Sequence, residues 1–331
     1  MSLDNLTPDR FQQIIINMTA ERTIVVKGVA GSGKSLTLLK KAKQVSTFSQ
    51  SYAIIVYTKS LKQFFVDELA EIDQTGNHVY YCREWQRLPV KPHYQYMFID
   101  ECQDFNAAEI SDFRQHGQYC WFFGDTHQSI MEFPDHTVQT VEDTAMQIGV
   151  HTQNLARNHR LTIENARVGE FIYPETRLSF ACYKHGPKPL QLCMNNRDSQ
   201  LDEIIRIRKE GGLTDMGILV FYNNQVEYIR DYFAKKGIPV EWKTRDAMEM
   251  DFKSTNPKVI TFHCAKGLQF TDVFIPYSES FRDGCEKAAL YVASTRPLNQ
   301  LFLVYSNNLC SFLPPATSDI YANAQELMLL F

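Results

Sequence analysis

One short run near the start of the chain limits its fold more than any other feature. Gly28-Val29-Ala30-Gly31-Ser32-Gly33-Lys34-Ser35 fits the pattern G-x-x-x-x-G-K-S. A β-branched stretch, Thr23–Lys27, precedes it, and Ser35–Lys43 has helical character. Strand, glycine-rich turn and helix in that order make a phosphate-binding loop. The glycines let backbone N–H groups turn inward around phosphate oxygens, and the positive end of the helix dipole adds to the attraction. Lys34 is then placed to reach the β- and γ-phosphates of ATP, and Ser35 to bind Mg²⁺.

A second acidic element fits the same chemistry. Tyr96-Met97-Phe98-Ile99-Asp100-Glu101 puts two carboxylates at the end of an apolar strand, the edge of a parallel sheet where ligands bind. Asp100 is expected to hold Mg²⁺ through water, and Glu101 to orient and deprotonate the attacking water.

The rest of the chain alternates strand and helix patterns. Ala53–Tyr57 and Cys120–Phe123 read as short strands, and Leu61, Phe64, Phe65 and Leu69 as one face of a helix. The second half repeats the style. A helix around Leu201, Ile204 and Ile205 ends at Gly211-Gly212. The strand Met216–Phe221, the helix Gln225–Lys236 and the strand Lys258–Phe262 come next. Val273–Ile275, a helix over Glu286–Ser294 and the strand Leu301–Tyr305 complete the pattern. Such alternation predicts an α/β fold with parallel sheets covered by helices on both faces. At 331 residues the chain suits two domains, which we divide as 1–152 and 153–331.

Composition narrows the partners. The formal net charge is −4 and the sequence pI is about 6.2, without the basic excess common in proteins that coat nucleic acid. Any nucleic acid must therefore meet a local groove. No apolar run is long enough to span a membrane, and no signal peptide is visible at the N-terminus, so a cytoplasmic location is expected. The 8 cysteines form no Cys-x-x-Cys pair and read as reduced core residues rather than zinc ligands.

Further motifs carry a resemblance. Asp100-Glu101-Cys102-Gln103-Asp104 resembles the D-E-x-Q-D box of superfamily 1 helicases, and Gly124-Asp125-Thr126-His127-Gln128-Ser129-Ile130 their G-D-x-x-Q-S-I motif. Asn158-His159-Arg160 resembles N-Y-R. The segments Thr261–Phe270 and Leu290–Arg296 resemble T-x-H-x-A-K-G-L-E-F and L-Y-V-A-x-T-R. Tyr57-Thr58-Lys59-Ser60-Leu61 sits where the family has its first DNA-contacting motif. The form of the last two motifs resembles the UvrD/Rep-like branch, here as a minimal motor core without the branch's accessory insertion domains.

This resemblance implies two RecA-like P-loop NTPase domains with ATP in the cleft between them. It implies that Gln128 senses the γ-phosphate and that Arg160 and Arg296 stabilise the charge of phosphoryl transfer. It places His159 on the adenine, with Gly267 and Gln269 on the nucleotide and Gln12 or Gln13 at the adenine edge. For single-stranded DNA it implies contacts from Tyr57, Thr58, Phe133, Thr261 and His263, with Phe133 as a base-stacking aromatic.

The sequence departs from the family pattern in places. Arg10 stands where an adenine-contacting Gln is usual, Gln269 replaces a Glu, and Met131 and Pro134 replace a Tyr and an Arg. The expected activity is ATP hydrolysis coupled to movement on single-stranded DNA in the 3′-to-5′ sense, with weak unwinding. The alternative is an ATP-driven switch acting on a protein partner in a repair, mobile-element or defence complex. Arg296→Ala is expected to lower hydrolysis with the fold intact.

Overall fold

The computed structural model describes residues 7–47, 51–70, 78–130, 136–244, 248–251 and 254–323. They fall into two compact units, Met1–Arg157 and Asn158–Phe331.

In the first unit, strands β1 (Ile24–Gly28), β2 (Tyr52–Val56), β3 (Val79–Tyr81), β4 (Tyr94–Ile99), β5 (Gly117–Gly124) and β6 (Thr152–Leu155) alternate with six helices among the described residues. These are α1 (Arg10–Asn17), α2 (Lys34–Ser46), α3 (Lys59–Leu69), α4 (Cys82–Gln86), α5 (Ala107–His116) and α6 (Val141–Ile148). The strand order is β3-β2-β4-β5-β1-β6, and every described pairing is parallel.

Successive strand side chains point to opposite faces, and here both faces are apolar. Ile24, Val26, Ile54, Val56, Phe98, Trp121 and Phe123 share one core with Ile15 of α1, Leu38 and Ala42 of α2, and Phe65 of α3. Val25, Ala53, Ile55, Met97, Ile99 and Phe122 share the other with Trp85 of α4, Ile110 and Phe113 of α5, and Val141 of α6. A sheet buried on both faces explains why its strands read as unbroken apolar runs.

β6 shifts the domain boundary. Its sequence, Thr-Gln-Asn-Leu, has too little apolar character to read as a strand, yet it pairs in parallel with β1 through Val25–Thr152 to Gly28–Leu155. The division therefore falls between Arg157 and Asn158, beyond the expected division at 152/153.

The second unit opens with β7 (Asn158–Thr162), α7 (Ile163–Ile172), α8 (Leu178–Ala181) and β8 (Cys182–Lys184); β7 and β8 pair as a small separate sheet. Then come β9 (Leu190–Met194), α9 (Arg197–Gly211), β10 (Met216–Val220), α10 (Asn223–Lys235), β11 (Glu241–Lys243) and β12 (Met248–Glu249). The unit continues with β13 (Lys258–Thr261), α11 (Phe262–Ala265), β14 (Phe270–Ile275), α12 (Gly284–Ser294) and β15 (Pro297–Ser306). The main sheet runs β12-β11-β13-β10-β14-β15-β9, parallel except for the β11–β12 pair. Leu201, Ile204 and Ile207 of α9 and Val226, Ile229 and Phe233 of α10 bury one of its faces, while α7, α11 and α12 pack together. Both main sheets carry helices and parallel strands in the arrangement of a RecA-like P-loop domain. Among the described residues no helix is long and apolar enough to cross a membrane.

Candidate nucleotide site and nucleic-acid surface

Strand order assembles the first site. β4, β5 and β1 are consecutive neighbours in the first sheet, so the turns that leave their carboxyl ends lie side by side. β1 leads into Gly28–Lys34, β4 into Asp100-Glu101 and β5 into Gly124-Asp125. Three motifs distant in sequence thereby share one edge, the edge at which parallel sheets bind ligands.

The loop after β1 has the backbone of a phosphate cradle. Gly31 and Gly33 adopt left-handed angles, φ 72 and φ 79, which L side chains rarely adopt. Lys34 is buried, and its Nζ donates to the Gly28 carbonyl at 2.8 Å and the Val29 carbonyl at 3.2 Å. Ser35 donates its hydroxyl to Asp100 Oδ2 at 2.8 Å.

Asp100 is fully buried. Burial first, then the neighbouring charge of Glu101, holds its carboxyl well above the usual carboxylate range; Ser35 and Lys34 pull it back only in part. A hydroxyl and a carboxylate side by side form the hard-oxygen donor set that suits Mg²⁺.

Glu101 has φ 54 and ψ 48, a left-handed backbone that for a non-glycine residue costs about 1–3 kcal/mol. The cramped turn aims its carboxylate along the site edge, where Gln103 Nε2 donates to Glu101 Oε2 at 2.5 Å. The other end of the same amide, Gln103 Oε1, accepts the Asp125 backbone N–H at 3.0 Å. Asp125 Oδ2 in turn accepts Gln128 Nε2 at 2.7 Å. Glu101, Gln103, Asp125 and Gln128 thus form one buried hydrogen-bonded relay joining the D-E-x-Q-D box to the G-D-x-x-Q-S-I motif. Sequence reading named the two ends and missed Gln103 and Asp125, although both lie inside the quoted motifs.

The structure separates the two glutamines offered for the adenine edge. Gln12 is 3% exposed; its Oε1 accepts the Asp9 N–H and its Nε2 donates to the Ser32 carbonyl at 3.0 Å. Gln13 is exposed and donates to Asn17 instead. Only Gln12 reaches the phosphate loop, because Asp9 and Gln12 form the capping box that starts α1.

The expected nucleic-acid residues of the first unit gather after β2. Thr58 is the N-cap of α3, accepting the Leu61 N–H at 3.2 Å. Tyr57 is half-buried, set edge-on to Phe105 at 5.3 Å and tilted toward His136 at 5.9 Å; burial pushes its phenol above the ordinary range. It serves partly as a core aromatic. Sequence reading did not single out its neighbours: Lys59, inside the quoted motif, has its Nζ 5.9 Å over the Tyr81 ring at the end of β3, and Arg83 is exposed on α4. Phe133, with Met131 and Pro134, lies outside the described residues.

In the second unit, Thr261 is buried and is the N-cap of α11, accepting the Cys264 N–H at 3.3 Å. Its hydroxyl therefore has a structural partner, whereas His263 keeps some exposure. Gly267 and Gln269 are exposed. His159 Nδ1 and Tyr183 Oη are 3.1 Å apart, and Lys184 donates to the His159 carbonyl at 2.5 Å.

The two arginines differ. Arg160 is partly exposed and donates to the Thr295 carbonyl at 3.3 Å. Arg296 is 1% exposed; its guanidinium donates to the carbonyls of Val292 and Leu268 and to Thr295 Oγ1. That burial makes Arg296 part of the second unit's framework, so Arg296→Ala is not expected to leave the fold intact.

A family model described as the viral superfamily 1 RNA helicase core domain matches residues 24–203. No curated protein matches the chain. Among solved structures, the C-terminal domain of a possible DNA helicase from Lactobacillus plantarum WCFS1 is similar at 16% identity and TM-score 0.40, covering 50% of this chain and 98% of that one. An arterivirus nonstructural protein 10 helicase in complex with DNA is similar at 15% identity and TM-score 0.47, covering 92% of this chain and 64% of that one. An arterivirus nonstructural protein 10 helicase crystal structure gives 14% identity, TM-score 0.49, and 92% and 63% coverage. This chain spans a little under two thirds of the length of those arterivirus helicases.

Proposed function

The chain belongs to the viral superfamily 1 RNA helicase core family, and from that premise we propose that it is an ATP-driven motor on single-stranded nucleic acid. The observation that carries this reading is the relay from Glu101 through Gln103 and Asp125 to Gln128. It ties the residue that handles the attacking water to the residue that senses the γ-phosphate. A rigid link of that kind lets phosphate cleavage be felt beyond the phosphate site, as a motor requires.

In the proposed reaction the loop N–H groups and Lys34 hold the phosphates, and Gln12 lies toward the base. Glu101 orients the water and takes its proton. Ser35 and Asp100 would hold Mg²⁺, which when bound neutralises phosphate charge. The resemblance assigns Arg160 and Arg296 to the charge of phosphoryl transfer; we keep that role for the partly exposed Arg160, while Arg296, held by Val292, Leu268 and Thr295, braces the second unit. His159, Gly267 and Gln269 complete the nucleotide contacts. The track is gripped by Tyr57, Thr58, Thr261 and His263, with Phe133 as the stacking aromatic and Lys59, Tyr81 and Arg83 extending the surface.

Within superfamily 1 we place the chain with the UvrD/Rep-like form and give it 3′-to-5′ movement on DNA. The wording of Thr261–Phe270 and Leu290–Arg296 supports that finer placement. A second reading, a switch that works on a protein partner, draws support from the net charge of −4, which gives no general attraction to a polyanion.

Steady-state ATP hydrolysis with and without single-stranded DNA or RNA at low salt, with Glu101→Gln as the blank, tests the proposal. Stimulation that fades as salt rises is the expected result, and the better stimulant names the track. Hydrolysis indifferent to both would overturn the motor reading in favour of the switch.

A further inference from the structure

Tyr222 belongs to none of the motifs described above. It lies just beyond β10, at the carboxyl edge of the second main sheet, and is 50% exposed. Large aromatic side chains left in solvent are usually held only by their own backbone. This one is held at several points. Its hydroxyl donates to Glu286 Oε1 at 2.9 Å. Glu286 is itself only 5% exposed and also accepts the backbone N–H groups of Arg282 and Asp283, at 2.5 and 3.2 Å. The Tyr222 backbone N–H donates to Gln225 Oε1 at 2.9 Å. Its ring meets Phe221 edge-on at 4.8 Å, and Phe221 meets His263 at 5.5 Å.

We propose that Tyr222 is a base-stacking platform of the second unit for single-stranded nucleic acid. The proposal rests on the functional reading above, in which His263 meets the backbone of the same strand. A ring already fixed at its hydroxyl, its backbone and its contact with Phe221 loses little freedom when a base settles on it, so most of the stacking energy survives as affinity. Charge decides which part of the nucleotide lies there. The hydrogen bond to Glu286, then burial, and then the charges of Glu286 and Asp283 hold the Tyr222 phenol above its ordinary range. Those carboxylates repel phosphates from the hydroxyl end. The base therefore takes the ring and the phosphates lie away from Glu286. Stacking does not discriminate among bases, as a motor that moves along any sequence requires.

The test is binding of a fluorescently labelled single-stranded oligonucleotide, as DNA and as RNA, with a second probe carrying 2-aminopurine, whose emission falls on stacking. Tyr222→Ala is expected to weaken binding by about 5- to 150-fold, by the same factor at low and high salt, because no ionic contact is removed. The part of the 2-aminopurine quenching due to this ring should disappear. Tyr222→Phe and Tyr222→Trp keep a ring and should retain most of the binding and quenching, losing clearly less than the alanine variant; they also keep the test sound if the alanine variant does not fold. Wild-type affinity and quenching in a folded Tyr222→Ala would overturn the proposal and leave the motor reading standing. Equal losses in the Ala and Phe variants would overturn it too, assigning the effect to the hydroxyl's hold on Glu286. If the wild type binds neither oligonucleotide, the functional reading itself has failed.

Discussion

Gln103→Leu attacks the relay at its centre with little change of volume. The Gln103 side chain is fully buried and its amide serves two partners at once. Removing Oε1 strips the acceptor from the Asp125 N–H, in a residue only 2% exposed; an orphaned buried donor costs about 1–3 kcal/mol. Removing Nε2 strips a donor from the Glu101 carboxylate, which is 6% exposed; a hydrogen bond to a charged group is worth about 1.5–3 kcal/mol. Burial of the leucine side chain returns about 1.5–3 kcal/mol. The net expectation is a loss of about 2 kcal/mol in the first unit. With the Gln103 contact to Glu101 lost, ATP turnover should fall about 10- to 100-fold, part of the about 10²- to 10⁴-fold that a positioned general base contributes. Urea unfolding followed by the emission of Trp85 and Trp121, both buried in that unit, reads the first number, and steady-state hydrolysis under native conditions reads the second. A change below about 0.5 kcal/mol, within the range of ordinary surface substitutions, with normal turnover would refute the reasoning. Lost stability with normal turnover would reduce the relay to a brace.

Three further outcomes are expected. Gly33→Ala puts a side chain into a left-handed conformation (φ 79) where its Cβ would overlap Gln12 Nε2; the backbone term alone is about 1–2 kcal/mol. Nucleotide affinity measured with a fluorescent ATP analogue should fall, and Gln12→Ala in the same chain should restore part of it. Lys41 is buried beneath α1, donating to the carbonyls of Ile16 and Met18, and burial lowers its ammonium to about 8. The folded chain therefore holds that proton less tightly than the unfolded chain does. The penalty is present below about 8 and lifts as pH rises toward the ordinary lysine value of 10.5. Wild-type stability relative to Lys41→Met should accordingly grow across that window in urea titrations, and a flat difference would show that the ammonium is not desolvated. Arg296→Ala removes a buried guanidinium that donates to the Val292 and Leu268 carbonyls and to Thr295 Oγ1, so melting temperature and hydrolysis should fall together; an unchanged melting curve would show that the side chain bears no structural weight.

What was legible in the sequence was what a single segment encodes. A phosphate loop is one continuous turn, and an apolar strand ending in Asp-Glu carries its own signal, so the P-loop and Asp100-Glu101 could be read directly. The relay could not, because Gln103 meets Asp125 only once β4 and β5 are known to be neighbours. The choice between Gln12 and Gln13 was available in principle: Asp9-x-x-Gln12 is a capping-box spacing, and a capping residue turns back toward its own helix start. Thr58 and Thr261 carry the same kind of signal, a threonine just before a helix, which the family resemblance overshadowed. β6 was hidden for a different reason. An edge strand buries less than a central one, so its sequence needs little apolar character.

The first unit also shows where the fold accepts local disadvantage. Asp100 is buried beside a second carboxylate, which raises its proton affinity, and Glu101 holds a left-handed backbone that glycine would adopt more easily. Neither feature helps the chain to fold. A buried carboxyl with raised proton affinity contributes stability at low pH and loses it as pH rises, so the acidic pair weakens the unit under ordinary conditions. Such features persist only where surrounding structure over-determines them, and here the parallel strands β4 and β5 and the Gln103 amide do so. The same features suit the proposed chemistry. A buried acidic pair favours a dication bound with a polyphosphate, and a strained turn holds its carboxylate in one direction without any cost at the moment of reaction. The disadvantage in the free protein and the proposed catalytic advantage thus come from the same two residues.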